Sequence, residues 1–190
     1  MITLIIVDCQ NDFISGTMAV KGAKNVVENI KDFIKSHKKE IEKILFTVDW
    51  HIYNHPSFKR CGGMWPQHCV QYTPGACIES KLLKYVQASG IPYEVDEKAQ
   101  FIEQYGAFED IEYVPDSGLI DKYYFDSIVS ANADTTFVVC GIAGDYCVKA
   151  TVENMIKENI TPKVFLSGIA SIDDGKTIKE FIKENKLEVL

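Results

Sequence analysis

Reactive side chains in this sequence fall just beyond apolar runs, and each run reads as a strand. Asp8 follows Ile5-Ile6-Val7, Asp49 and His51 follow the run from Lys43 to Val48, and Cys147 follows Thr135 to Cys140 after the turn Gly141-Ile142-Ala143-Gly144. Cys147 is the candidate nucleophile. It stands where a strand turns into a helix, and a helix N-terminus favours a thiolate through its dipole and free N–H groups. The same N–H groups suit an oxyanion hole. Asp8 is a candidate acid–base group; a turn-capping role toward Asn11 or Asp12 is the alternative. Lys98 ends the charged run Asp96-Glu97-Lys98. Such a lysine reads first as a solvated charge, and only sheet topology could bring it to Asp8 and Cys147.

Asp49 and His51 stand two apart in an extended segment, so their side chains face the same way. Carboxylate plus imidazole suits zinc, iron or manganese. His68 completes a three-ligand set with positions left for water or substrate, and His55 is a fourth candidate in a supporting place. A rival zinc set is Cys61, His68, Cys69 and Cys77, whose spacing fits no common structural knuckle. Aromatic residues gather nearby: Phe13, Trp50, Trp65, Tyr105, Phe108 and Tyr146. Core packing accounts for some of them. Phe13, Trp65 and Tyr105 fall in loops, where exposed rings suit a flat ligand.

These residues need a frame. Continuous apolar runs at Ile2 to Asp8, Lys43 to Val48 and Thr135 to Cys140 suit strands buried on both faces. Shorter strands are expected at Pro92 to Val95, Lys163 to Leu166 and Leu187 to Leu190. Helical spacing covers Ala23 to Lys35, Glu79 to Ala88, Leu119 to Val129, Asp145 to Lys157 and Lys176 to Lys183. Alternation of this kind predicts an α/β fold: three layers, α/β/α, around a mostly parallel doubly wound sheet. Ligands of such sheets bind beyond the carboxyl ends of the strands, where Asp8, Asp49, His51, Lys98 and Cys147 all fall. The stretch from His51 to Ala76, with Pro56, Gly62-Gly63, Pro66 and Pro74-Gly75, resists assignment. A loop of that length in a compact domain is usually functional.

The 190 residues suit one domain, residues 1–190, with a metal and substrate loop at about 51–76. Twenty Lys and Arg against 27 Asp and Glu give a net charge of −7. That balance argues against nucleic acid, whose phosphates need a basic face. No apolar run reaches the roughly 18 residues of a membrane span. The apolar start at Met1 to Val7 lacks a basic flank and reads as a strand instead of a signal peptide. Six cysteines without an export signal point to a reducing cytoplasm rather than a disulfide framework.

The motifs in combination closely resemble the nicotinamidase/pyrazinamidase branch of the isochorismatase-like cysteine hydrolases. They are Val7-Asp8-Cys9-Gln10-Asn11-Asp12-Phe13, Thr47-Val48-Asp49-Trp50-His51, His55-Pro56-Ser57-Phe58, Trp65-Pro66-Gln67-His68-Cys69-Val70-Gln71, Thr73-Pro74-Gly75-Ala76, Tyr105-Gly106-Ala107-Phe108 and Gly141 to Val148. The resemblance implies a catalytic triad of Asp8, Lys98 and Cys147, and an oxyanion hole from the N–H groups of Ala143 and Cys147. It implies one divalent metal, zinc first and iron or manganese next, on Asp49, His51 and His68. It implies a cis peptide between Ile142 and Ala143, and a substrate pocket of Phe13, Trp65, Tyr105, Ile142 and Tyr146. The implied reaction turns nicotinamide into nicotinate and ammonia through a cysteine thioester, with pyrazinamide as a second substrate. Alternatives are a cysteine amidohydrolase of N-carbamoyl or ureido compounds on the same fold, or a silent metal-binding domain. A small-molecule substrate is the expected partner, and a homo-oligomer is left open. Gly144 departs from the family pattern, where Thr is frequent, and Gly106 departs where Ser is frequent.

Overall fold

The computed structural model describes residues 1–100, 106 and 135–190. The expected helix from Leu119 to Val129 and the aromatic residues Tyr105 and Phe108 lie outside them. Among the described residues there are five strands: β1 (Ile2–Val7), β2 (Ile41–Asp49), β3 (Tyr93–Lys98), β4 (Thr136–Ile142) and β5 (Lys163–Ala170). They form one sheet in the order β3-β2-β1-β4-β5, and every pair is parallel. The helices are α1 (Asn11–Ile14), α2 (Ala23–Ser36), α3 (Ser80–Ser89), α4 (Lys149–Lys157) and α5 (Lys176–Glu184). No described helix is long and apolar enough to cross a membrane.

Strand geometry sends alternate side chains to opposite faces, and β1 shows it. Leu4 and Ile6 join a core with α2 and α3, through Val26, Ile30, Leu82 and Val86. Ile5 and Val7 join a second core with α4 and α5, through Val152, Met155, Ile178 and Phe181. Burial of both faces explains the unbroken apolar runs, and the helices on either side make the expected three layers. Glu79 caps α3 by accepting the Leu82 N–H at 2.8 Å, and Gly90 closes it at φ 74°.

Several elements differ from the sequence expectation, among them β5, which runs on past Leu166 to Ala170. β3 runs on past Val95 to Lys98, because Asp96 and Glu97 sit on an edge strand that need not be apolar on both faces. The final strand at Leu187 to Leu190 shrinks to a single bridge between Val164 and Val189. The chain turns at Lys186 (φ 52°), and its tail pairs with the backbone of β5 at Val164, which donates to Glu188 and accepts from Leu190, while Lys163 pairs with the Glu188 carboxylate at 2.7 Å.

Gly141 shows what the sheet demands of its active end. Its φ of +123° suits glycine, and a Cβ there would lie 2.0 Å from the Val7 carbonyl oxygen of the adjacent strand. Strand β1 cannot move away without breaking its own pairing on both sides. Gly141→Ala is therefore expected to cost at least ~2 kcal/mol, read as a lower urea midpoint; an unchanged midpoint would contradict this packing.

Candidate active site

The carboxyl ends of four strands meet in one place. Asp8 comes directly after β1, Asp49 ends β2, Lys98 ends β3, and Cys147 follows β4. The register of β2 and β3 sets Asp49 opposite Lys98. Lys98 Nζ lies 2.9 Å from Asp8 Oδ2 and 3.7 Å from Cys147 Sγ, and it also donates to Asp49 Oδ1. All four side chains are buried. Residues 90 and 49 positions apart are thus neighbours around one ammonium group.

Burial sets the electrostatics. It pushes the Asp8 carboxyl up to about 6, against the lowering effect of Lys98 and with the help of Asp49. Burial alone would lift Asp49 too, but Lys98 and His51 hold it below the usual carboxylate range. Lys98 would lose its proton to burial; instead Asp49, Asp8 and the Cys147 sulfur hold its pKa well above that of an ordinary lysine. Burial also drives the Cys147 thiol well above its ordinary pKa, and Asp8 adds to this while Lys98 opposes it. Burial thus works against the thiolate that a helix N-terminus would favour. The sulfur needs a base, and Asp8 is beside it: one oxygen of Asp8, one of Asp49 and the sulfur lie within 4.8 Å of one another.

Cys147 is not on a regular α-helix. Residues Gly144–Val148 form a π turn before α4 begins, a widening often found at functional positions. Ala143 O accepts the N–H groups of both Tyr146 and Val148, at 3.1 and 3.0 Å. The Thr151 hydroxyl donates to Cys147 O at 2.7 Å. The Ile142–Ala143 peptide is cis. Asp145 braces the turn from outside by accepting the Ile172 and Asp173 N–H groups at 3.0 and 3.2 Å. Gly144 is pressed against β5: a Cβ would lie 2.2 Å from Ser171 Oγ and 2.7 Å from an Ile169 methyl. That contact accounts for glycine where the family often carries threonine. Gly106 is similarly pressed on α4, with the Ala150 backbone and Asn154 Nδ2 2.7 Å from such a carbon.

A cleft opens above Cys147. Its lining includes Phe13, Trp65, Tyr146 and Ala143 beside Asp49, His51 and His68. Trp65 and Tyr146 meet edge to face at 5.3 Å. Met18, Val20 and Ile172 also line the cleft, and isolated apolar residues in loops give no sequence signal; Ser57, from the motif His55-Pro56-Ser57-Phe58, lines it too. Ile142 is fully buried in the core, so its side chain does not line the cleft.

One family model decides the relationship. The isochorismatase domain model matches residues 3–182. The chain belongs to the isochorismatase family. Within it, the chain is 29% identical over 182 residues to the nicotinamidase/pyrazinamidase of Mycobacterium tuberculosis, covering 94% of this chain and 91% of that protein. The yeast nicotinamidase bound to the inhibitor nicotinaldehyde superposes with a TM-score of 0.82 at 26% identity, covering 100% and 99% of the two chains. The pyrazinamidase of Pyrococcus horikoshii in complex with zinc gives 0.77 at 27% identity, covering 100% and 98%.

The donor set fits a divalent cation. One ligand atom each from Asp49, His51 and His68 lies within a 4.8 Å span, and all three residues are buried. His51 Nδ1 faces Ala99 O at 2.6 Å and His68 Nδ1 faces Pro66 O at 2.7 Å. Carbonyls only accept, so both Nδ1 atoms carry the proton and both Nε2 atoms present lone pairs. Those two Nε2 atoms stand 3.3 Å apart, and two lone pairs facing each other call for a cation between them. Burial lowers the pKa of His68, which favours the neutral, ligating ring. His55 stacks 4.4 Å from His51 and bonds Ser57 Oγ through Nδ1 at 2.6 Å, so it supports the set from behind. Among the described residues no cluster gathers Cys61, Cys69 and Cys77; Cys61 and Cys77 are exposed and Cys69 is buried.

Other residues escaped the sequence reading. Thr47 donates to Asp8 Oδ1 at 2.9 Å, so Asp8 is held by side chains and not in the alternative role of a turn cap. Ala99 contributes only a carbonyl, which no sequence pattern reveals. Replacing His51 or His68 with Ala is expected to abolish stoichiometric zinc uptake, measured by dialysis and elemental analysis. Full zinc loading in both variants would rule this donor set out.

Proposed function

We propose that this protein is a nicotinamidase, hydrolysing nicotinamide to nicotinate and ammonia, with pyrazinamide as a second substrate. The observation that carries the reading is the buried Lys98 ammonium between Asp8 and Cys147, with Cys147 lining a cleft that also bears Asp49, His51 and His68. Relatives of the same family that carry this activity support it.

Asp8 takes the proton from the Cys147 thiol as the sulfur attacks the carboxamide carbon. Lys98 stays protonated and offsets the negative charge that moves between carboxylate and sulfur. The N–H groups of Ala143 and Cys147 receive the developing oxyanion. The C–N bond then breaks, Asp8 returns its proton to the nitrogen, ammonia leaves and a thioester remains. Water enters, gives a proton to Asp8 and attacks the thioester carbon. The C–S bond breaks, the sulfur recovers its proton from Asp8, and nicotinate is released.

A divalent metal on Asp49, His51 and His68, zinc first, would supply a Lewis acid for the pyridine nitrogen. Phe13, Trp65 and Tyr146 would hold the ring flat, and Tyr105 would join them. Orientation of this kind is worth several kcal/mol of barrier. All six cysteines are free, which suits a reducing, cytoplasmic setting.

Two outcomes test this. The protein should release ammonia from nicotinamide, and Cys147→Ala should lower kcat by at least about a thousandfold; turnover retained in that variant would end the proposal, as would preference for an N-carbamoyl amide. Asp8 accepts a proton only when ionised, and its carboxyl titrates at about 6. So kcat/KM should fall about tenfold for each pH unit below that value. A flat profile down to pH 4.5 would remove Asp8 as the base.

A further inference from the structure

The segment after β1 touches the proposed metal loop at several points, and two of these adjoin ligands. Gln10 is fully buried. Its Oε1 accepts the Asp49 N–H at 2.8 Å, and its Nε2 donates to Asp49 O at 2.7 Å and to Ala76 O at 2.8 Å. One amide thus fixes both polar backbone groups of Asp49 and ties them to the far end of the loop. Asp12 Oδ2 accepts the Cys69 N–H at 2.8 Å, on the peptide that joins Cys69 to His68. The loop closes tightly over that carboxylate, since a Cβ at Gly75 would lie 2.1 Å from Asp12 Oδ2. Asn11 also reaches the loop, through Nδ2 to Pro74 O at 2.7 Å and through its N–H to Cys77 O at 2.9 Å, but it touches no ligand residue.

We propose that Gln10 and Asp12 are positioning residues for the metal, setting the strand-borne ligand Asp49 against the loop-borne ligand His68. The assignment rests on Asp49, His51 and His68 being the ligands. Neither side chain coordinates the ion. Each holds the backbone of a residue that does, or of its neighbour, and such outer partners govern metal affinity. Without Gln10, Asp49 loses the partner of a buried N–H and the loop loses its tie to β2. Without Asp12, the peptide after His68 is free to turn and carry the imidazole away from His51. Sequence distance hides the arrangement, because Gln10 and Asp12 precede their targets by 39 and 57 positions.

The test is zinc affinity, measured on metal-free protein by competition with a chromophoric chelator. Gln10→Met keeps the volume and removes the amide; Asp12→Ala removes the carboxylate. Each should weaken zinc binding by about 10- to 100-fold. Asp12→Asn keeps an acceptor for the Cys69 N–H and should stay within about threefold of the parent, as should Asn11→Ala. If Gln10→Met fails to fold, Gln10→Glu, which keeps the acceptor and loses both donors, is read in its place. Unchanged affinity in the Gln10 and Asp12 variants overturns the proposal. So does equal weakening in Asn11→Ala, which would mean that any loosening of the loop has the same effect. Parent protein that binds zinc yet leaves nicotinamide intact would sink the proposed reaction and leave this assignment standing.

Discussion

The structure depends on one buried ammonium group. Lys98 is almost wholly withdrawn from water, and an isolated charge there would cost several kcal/mol. Two carboxylates and a sulfur surround it instead. Each neighbour is altered by the arrangement. Lys98 and His51 hold the Asp49 carboxyl low, Asp8 is poised near 6, and the Cys147 thiol is pushed up by burial while Lys98 opposes it. Remove the ammonium and two buried carboxylates would face each other without compensation. The sheet, the loop and the π turn can all be understood as what keeps these groups within reach of Lys98.

The parallel sheet is the reason such distant residues meet. Strands that all point one way release their last residues along one rim. The central strand β1 and its neighbour β4 give Asp8 and the turn to Cys147. On the other side of β1, β2 and β3 give Asp49 and Lys98 in register. The metal ligands then divide between β2 and the loop beyond it. Lys98 joins the two halves through Asp49, whose two oxygens face different ways. One is paired with Lys98, and the other lies 3.6 Å from His51 Nε2.

Much of this was legible in the sequence, for identifiable reasons. Strands buried on both faces leave unbroken apolar runs, so β1, β2 and β4 stood out, and with them Asp8, Asp49 and Cys147. The i, i+2 relation of Asp49 and His51 is visible in any extended segment. Lys98 was harder, because an edge strand reading Tyr-Glu-Val-Asp-Glu-Lys looks like a solvated surface and nothing local marks its last residue as buried. Ala99 acts through its carbonyl, which any residue can offer, while the Gln10 and Asp12 side chains bind backbone groups far along the chain, which leaves no spacing signature. The widened turn at Cys147 and the shortened last strand also depend on tertiary packing, of Gly144 on β5 and of Val164 on the chain's tail.

The contact between Gly144 and Ser171 carries a consequence for descent. Position 144 has room for hydrogen alone while the Ser171 hydroxyl and an Ile169 methyl stand 2.2 and 2.7 Å from where a Cβ would lie. A lineage that acquires threonine beside the nucleophile must first clear the opposing loop, so the two sites are bound to drift as a pair. Sequences with a side chain at the first position should therefore carry an accommodating change at the second, and mixed combinations should be rare.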